Sequence, residues 1–246
     1  MHYAKSLGTL AAVVLTALAG TAQAATSCVT QNFDTVTSPA LPAGWTTTTA
    51  TGSPATTGWV TRSVGYTDSG ANAAWIDDAN DFADIALVSD TRAVTVTSGA
   101  SITFRQSYTL WSPDILPLLN HAFNGGVLEV SLNGGAFADI TSVSGGSISV
   151  GTYNATLDTS ELNPLAPTAT ARKVWSGNSN GYVTATANLP AKVGTTPVTT
   201  AAFRWRLGTE GGGRNYDTYS GWWIDSISFA KLTDVIFADD FDGDCN

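Results

Sequence analysis

The sequence predicts an all-β protein, a sandwich of two antiparallel sheets, and three observations carry that prediction. Apolar and polar residues alternate in several short runs, the two-residue period of a strand with one buried face. The composition suits strands and turns: 43% of residues are hydrophobic and 13% charged, with 24 Gly and with 9 Phe, 7 Tyr and 8 Trp to fill a core. Aromatic and β-branched side chains fit a pleated surface, and Gly and Asn-Gly pairs fit the tight turns between strands. After the N-terminal leader, no stretch sustains the period of a helix.

The leader comes first. Lys5 precedes an apolar run from Leu7 to Gly20 that ends at the small-residue site Ala22-Gln23-Ala24, the pattern of a cleaved secretory signal peptide over residues 1–24. That run is shorter than the roughly 20 apolar residues a membrane-spanning helix needs, so the sequence predicts no membrane span. Residues 25–232 then form one domain, of a size generous for a single sandwich. Residues 233–246 form an acidic tail that includes Asp240-Phe241-Asp242-Gly243-Asp244. The tail is too short for an EF-hand loop, which needs a twelfth-position ligand.

Strand candidates follow in order. The short ones are Trp59 to Ser63, Ala73 to Ile76, Ile85 to Ser89, Ala93 to Thr97 and Tyr182 to Ala187. From Ser101, the residues Ile102, Phe104, Gln106, Tyr108 and Leu110 fall on one face and Thr103, Arg105 and Ser107 on the other. Val127 to Leu132 leads through the turn Asn133-Gly134-Gly135 into Ala136 to Ile140, a hairpin. Ala201, Phe203, Trp205 and Leu207 alternate with Ala202, Arg204 and Arg206. In the last strand, Trp223, Asp225, Ile227 and Phe229 alternate with Trp222, Ile224, Ser226 and Ser228. The segments 113–126 and 141–180 read as long irregular loops, a usual place for a binding surface.

The 20 acidic residues against 11 basic ones give a formal charge of −9, which becomes −10 when Lys5 leaves with the leader. Such a chain repels nucleic acid and anionic lipid. Its acidity suits calcium or an extracellular medium, and equally suits solubility alone. Cys28 and Cys245 stand near the two ends of the mature chain, and an oxidising compartment favours a disulfide between them. Two free thiols or intermolecular pairing are the alternatives.

Nucleophilic catalysis has little to work with. The mature chain has one histidine, His121, and no Gly-x-Ser-x-Gly elbow, and the nitrogen and sulfur ligands are too few for zinc. Glycoside hydrolysis needs only two carboxylates, so a glycan-acting hydrolase drawing on Glu129, Glu161, Glu210 and loop aspartates is the alternative to a pure binding role. Glu129, however, has no acid two or four residues away on its strand. Trp111, Trp175, Tyr182, Tyr216 and Tyr219 are predicted in or beside loops, where they serve either as a stacking platform for sugar rings or as packing for the sandwich edge.

Asn32-Phe33-Asp34 followed by Leu41-Pro42-Ala43-Gly44-Trp45 resembles the opening of a group of extracellular jelly-roll domains, which includes MAM-like domains, cleaved-adhesin domains and accessory domains of secreted bacterial peptidases. Trp222-Trp223-Ile224-Asp225 is similar to the last strand of that group. Ala73-Ala74-Trp75, Asp84 with Leu87-Val88-Ser89, Trp175-Ser176-Gly177-Asn178-Ser179 and Phe203-Arg204-Trp205-Arg206-Leu207-Gly208-Thr209 fit in order between them. The resemblance implies a jelly roll whose first and last strands lie side by side. That would bring Asp34 and Asp225 together and place Cys28 near the C-terminal segment. It also implies that Asp34 and Asp225 can hold calcium, with Asp77 and Asp78 as the nearest supply of further oxygens and Asp81 close behind. Ser226 stands where the group commonly has a second acid. The alternative for Asp34 and Asp225 is turn capping or pairing with Arg204 or Arg206. The implied function is a secreted, non-catalytic binding or adhesion module whose partner is an extracellular glycan or a surface protein.

Overall fold

A computed structural model of the chain describes residues 28–51, 58–63, 66–78, 81–95, 99–112, 121–158, 162–166, 170–210 and 221–234, and all regular elements among them are strands. The leader, Glu161, Tyr216, Tyr219, Cys245 and most of the acidic tail lie outside the described residues. In chain order the strands begin with β1 (Cys28–Gln31), β2 (Thr46–Thr51), β3 (Val60–Arg62), β4 (Ala73–Ile76), β5 (Phe82–Val88) and β6 (Arg92–Val94). The middle holds β7 (Ser101–Leu110), β8 (His121–Ala122), β9 (Gly125–Leu132), β10 (Ala138–Asp139), β11 (Ser147–Val150), β12 (Ala155–Leu157), β13 (Lys173–Val174) and β14 (Gly177–Asn178). The last are β15 (Val183–Asn188), β16 (Lys192–Val193), β17 (Thr196–Pro197), β18 (Thr200–Glu210), β19 (Gly221–Ala230) and β20 (Leu232–Asp234).

Two antiparallel sheets form the sandwich. The first runs β11-β15-β7-β19-β4-β3, with β1 also paired to β19, and the second runs β10-β9-β18-β5-β2, with β6 beside β18 and β20 beside β6. Successive strands pass back and forth between the sheets: β1 lies in the first, β2 in the second, β4 in the first, β5 in the second, β7 in the first and β9 in the second. This is the jelly-roll course that the motifs imply. The first strand, β1, lies beside β19, the long strand that the motifs give as the last one, with Cys28 opposite Ala230 and Gln31 opposite Ile227.

The core lies between the sheets and takes the faces that alternation assigns. Ile102, Phe104, Tyr108 and Leu110 of β7 meet Phe203, Trp205 and Leu207 of β18 in one buried cluster. Ring contacts tie the layers together, such as Phe104 edge-on to Trp205 with centroids 5.4 Å apart. The β9–β10 hairpin turns at Asn133 and Gly134, both with positive φ (52° and 71°). Two left-handed residues in the centre of a four-residue turn match the twist of the strands it joins.

Two expectations need correction. Strict alternation in β19 places Trp223, Asp225, Ile227 and Phe229 on one face. Instead the ladder to β7 shifts register between Asp225 and Ser228, and Ser226 has φ 48°. That bulge reverses the faces: Trp222, Ile224, Ile227 and Phe229 all reach the core, while Trp223 and Asp225 lie on the other side. The segment 141–180 is also not a plain loop: β11 and β14 join the first sheet beside β15 and β7, while β12 and β13 pair with each other and carry Leu157 and Val174 into a small cluster over Val127 of the second sheet.

Candidate binding face

Strand register assembles a set of charged residues that the sequence keeps far apart. On β18, Phe203, Trp205 and Leu207 point to the core, so Arg204 and Arg206 point outward. Arg204 stands opposite Glu129 of β9, and Glu129 stands opposite Asp139 of β10. Arg206 reaches diagonally to Asp84 of β5, whose direct partner is Gly208. Arg204 Nε donates to Glu129 Oε2 at 2.7 Å, and Arg204 Nη2 donates to the same oxygen. Arg206 grips Asp84 with two parallel bonds, Nε to Oδ1 at 2.7 Å and Nη2 to Oδ2 at 2.6 Å, and its Nη1 donates to Glu129 Oε1 at 3.1 Å.

A third guanidinium comes from the overlying segment. Arg172 Nη2 donates to Glu129 Oε1 at 2.8 Å and to Asp139 Oδ2 at 3.2 Å. The segment is seated by a small apolar cluster of Leu157, Leu165, Ala166 and Val174 on Val127 and Ala122. Asn163 Nδ2 donates to the Gly208 carbonyl at 3.0 Å, and a Cβ at Gly208 would stand 2.5 Å from both Asn163 Oδ1 and Leu165 Cγ. Gly208 is thus where the cover touches the sheet backbone.

Three guanidiniums and three carboxylates make a neutral lattice with directional bonds. Burial pushes the Glu129 carboxyl up, but the hydrogen bonds from Arg172 and Arg204 and the charges of Arg204 and Arg206 outweigh it and hold the group below its ordinary value. Arg206 is held above its ordinary value, chiefly by the Asp84 bonds. Phe137 from the hairpin lies under the Arg204 guanidinium, 4.5 Å from carbon to ring centroid. A carboxylate held ionised by three cations is suited to fixing donors in place, and unsuited to giving a proton to a leaving group.

The aspartates singled out by the sequence lie elsewhere. Asp34 Oδ1 accepts the amide N–H groups of Ala71 (2.5 Å) and Asn72 (2.8 Å), while Asp225 Oδ2 accepts those of Asp68 (2.9 Å) and Ser69 (3.0 Å). Both residues therefore hold one loop, residues 66–72, from two sides. Gly70 has φ +57° and the place of its Cβ is filled by the Asp34 carboxylate, so only glycine fits. Neither aspartate pairs with Arg204 or Arg206, whose partners are Glu129 and Asp84; the cation near Asp225 is Arg105, which bonds Asp68 at 2.9 Å. Burial pushes Asp225 up to about 6, against the lowering effect of the Ser69, Ser226 and Asp68 amides.

Asp78 is fully buried at the end of the sandwich, where Asn124 Nδ2 donates to its Oδ1 (2.7 Å) and the Trp111 amide to its Oδ2 (2.8 Å). Burial pushes it up to about 7, with the two hydrogen bonds opposing and Asp77 adding a little. Among the described residues, no three His, Cys, Asp or Glu side chains come together as a metal site. Amide N–H groups of residues 68–72 and the Ser69 hydroxyl point at Asp34 and Asp225, so both carboxylates act as acceptors that hold the loop.

The aromatic platform also changes. Trp175 is 1% exposed, sealed between Phe104, Tyr153 and Trp222, and its Nε1 donates to the Gly151 carbonyl, so it offers no face to a ligand. Trp111 is half-buried against Phe123 with centroids 4.6 Å apart. Tyr182 is half-buried at the head of β15 against Tyr66. Sequence reasoning missed a row of rings across the outer face of the first sheet: Tyr66 on Trp223, Trp223 on Trp75, and the Arg62 guanidinium 3.9 Å over Trp75. It also missed Arg172, Asp84 and Asp139, although the outward alternation of Arg204 and Arg206 was a signal. His121 Nδ1 meets Asp158 at 3.1 Å, and the Ser112 hydroxyl goes to the His121 carbonyl instead of its ring.

The fold is similar to the K1 cleaved adhesin domain of Lys-gingipain from Porphyromonas gingivalis W83, with 13% identity, 82% of this chain and 97% of that chain covered, and a TM-score of 0.42. The K3 cleaved adhesin domain of the same protein is similar over 82% of this chain and 98% of that one, with 13% identity and a TM-score of 0.39. A third similar structure is of carbohydrate-binding modules from the β-sandwich superfamily: 11% identity, 77% of this chain and 56% of that chain, TM-score 0.33. The first two are cleaved-adhesin domains, one of the kinds that the sequence motifs resemble. The fold assignment rests on the strand order and register above. No protein-family model matches the chain, and no curated protein matches it by sequence.

Proposed function

We propose that the chain is a secreted, non-catalytic recognition module that binds an extracellular glycan on the outer face of its second sheet. The observation that carries this reading is the lattice of Arg172, Arg204 and Arg206 with Glu129, Asp84 and Asp139, placed on the outer sheet face beside the half-buried ring of Phe137. Sugar hydroxyls are bound by directional donors and acceptors whose positions are fixed in advance, because pre-fixed groups lose little side-chain freedom on binding. Secretion is supported by the leader pattern of residues 1–24. Among the described residues, no helix is long and apolar enough to cross a membrane. Binding without turnover is supported by the ion pairing of Glu129, which keeps the strand carboxylate charged.

The test is retention of the purified chain on insoluble and gel-embedded polysaccharides, neutral and acidic, with analysis of the eluted sugar for new reducing ends. The reading predicts retention without new ends, and weaker retention for Arg204→Gln. Retention unaffected by Arg204→Gln would move binding to another face, and new reducing ends would make the chain a hydrolase. A chain that ignores every glycan but is captured by one purified surface protein would replace the sugar with a protein partner.

A further inference from the structure

We infer that the ligand of this face is an acid-bearing polysaccharide, one that carries uronate carboxylates along its chain. The inference rests on the glycan reading above and adds the charge of the sugar. Its basis is the layering of the lattice. The side chains of Arg172, Arg204 and Arg206 are 21%, 24% and 20% exposed, whereas those of Glu129, Asp84 and Asp139 are 4%, 7% and 14% exposed. The six charges cancel in sum, but the cationic members form the water side and the anionic members the floor.

The floor also fixes the guanidiniums. Arg204 uses Nε and Nη2 on Glu129, and its Nη1 has no hydrogen-bond partner among the described residues. Arg172 uses Nη1 on the Leu165 carbonyl and Nη2 on Glu129 and Asp139, leaving its Nε. Arg204 therefore keeps its Nη1 N–H donors, and Arg172 its Nε–H, for an incoming group on planes already held by buried acceptors. A planar guanidinium with paired N–H groups matches a carboxylate. The rest of the chain sharpens the choice of site. With 20 acidic residues against 11 basic ones, most of the surface repels an anionic polymer, and three of those eleven cations are gathered here.

The experiment is affinity electrophoresis of the full mature chain through gels containing polygalacturonate, alginate or hyaluronan, each run beside its carboxyl-reduced form, with a chelator present. At least one uronate polymer is expected to bind ten-fold or more tightly than its reduced form, with affinity falling as salt rises. Arg204→Gln and, separately, Arg172→Gln should each weaken that binding ten-fold or more, while Lys192→Gln on the β16–β17 hairpin should not. The two arginine variants guard against one of them failing to fold. Equal binding to acid and reduced polymers, still weakened by either arginine change, would overturn the inference and leave the glycan reading standing. Binding to the acid polymers that neither arginine change affects would overturn both, as would no binding to any acidic, reduced or neutral glycan.

Discussion

Arg204 and Glu129 face each other in direct register across β18 and β9, and Glu129 Oε2 accepts the Arg204 Nε–H at 2.7 Å. Glu129 also serves Arg172 and Arg206, so a single buried carboxylate holds three guanidiniums, two from β18 and one from the covering segment. Removing it leaves three cations over a floor with too few acceptors. Breaking a buried pair from one side costs about 3–5 kcal/mol, and the guanidiniums' partial exposure lowers the expectation here to about 2–4 kcal/mol. Urea unfolding of Glu129→Gln checks this; a loss under about 0.5 kcal/mol would mean that the lattice holds nothing in place.

The two raised aspartates set the pH dependence. Asp78, with a native value of about 7, keeps a proton that the unfolded chain releases near 3.8, and Asp225 at about 6 does the same over a narrower window. Between these limits the native state binds more protons, so stability falls as pH rises from about 4 through 7. Glu129 acts in the opposite sense, because its lowered value gives stability that is lost as pH falls below its ordinary value of 4.5. Urea midpoints should therefore be higher at pH 5 than at pH 7.5, with Asp78 contributing about 2 kcal/mol. Asp78→Asn should flatten that slope; a wild-type stability that rises from pH 5 to 7.5 would contradict the assignment.

Asp34 and Asp225 hold the 66–72 loop through backbone N–H groups. Asp34→Ala removes the acceptor of two amides, and a cost of about 1–3 kcal/mol is expected from thermal or urea unfolding. Because the donors are amides, a chelator should leave the melting temperature of the wild-type chain unchanged. A rise on adding calcium, lost in Asp34→Ala, would restore a metal at this loop.

Trp175 tests the packing. Its ring is enclosed in the core, so Trp175→Ala should cost about 3–5 kcal/mol, where a ligand platform would cost almost nothing. Gly208→Ala should cost about 1–3 kcal/mol by driving a Cβ into Asn163 and Leu165. It should also loosen the segment that carries Arg172, read as faster amide exchange across 162–174.

Much of the fold is legible in residue order. The outward and inward faces of β7 and β18 follow from alternation, and Asn133-Gly134 marks its hairpin through two residues that accept positive φ. The bulge in β19 is not legible, because Ser226 is an ordinary strand-compatible residue whose φ of 48° is imposed by its neighbours. β2 hides as a strand because Thr46, Thr47, Thr48, Thr49 and Ala50 give no alternation and are all exposed on an edge of the sheet. The candidate face is half legible: Arg204 and Arg206 point outward by pattern, but Asp84, 122 residues from Arg206, becomes its partner only through strand order. Trp175 looks like a loop residue beside Ser176-Gly177-Asn178, yet its backbone bridges to Gly126, and that bridge turns the ring inward.

The most direct test of the central claim is amide and Arg-Nε NMR of the 15N-labelled chain titrated with the uronate oligosaccharide of whichever polymer binds. The account predicts shifts concentrated at Glu129, Phe137, Asp139, Arg172, Arg204 and Arg206, with the Arg204 and Arg172 side-chain signals moving most. Shifts confined to the first sheet or to the loop ends, with those arginine signals unmoved, would contradict it.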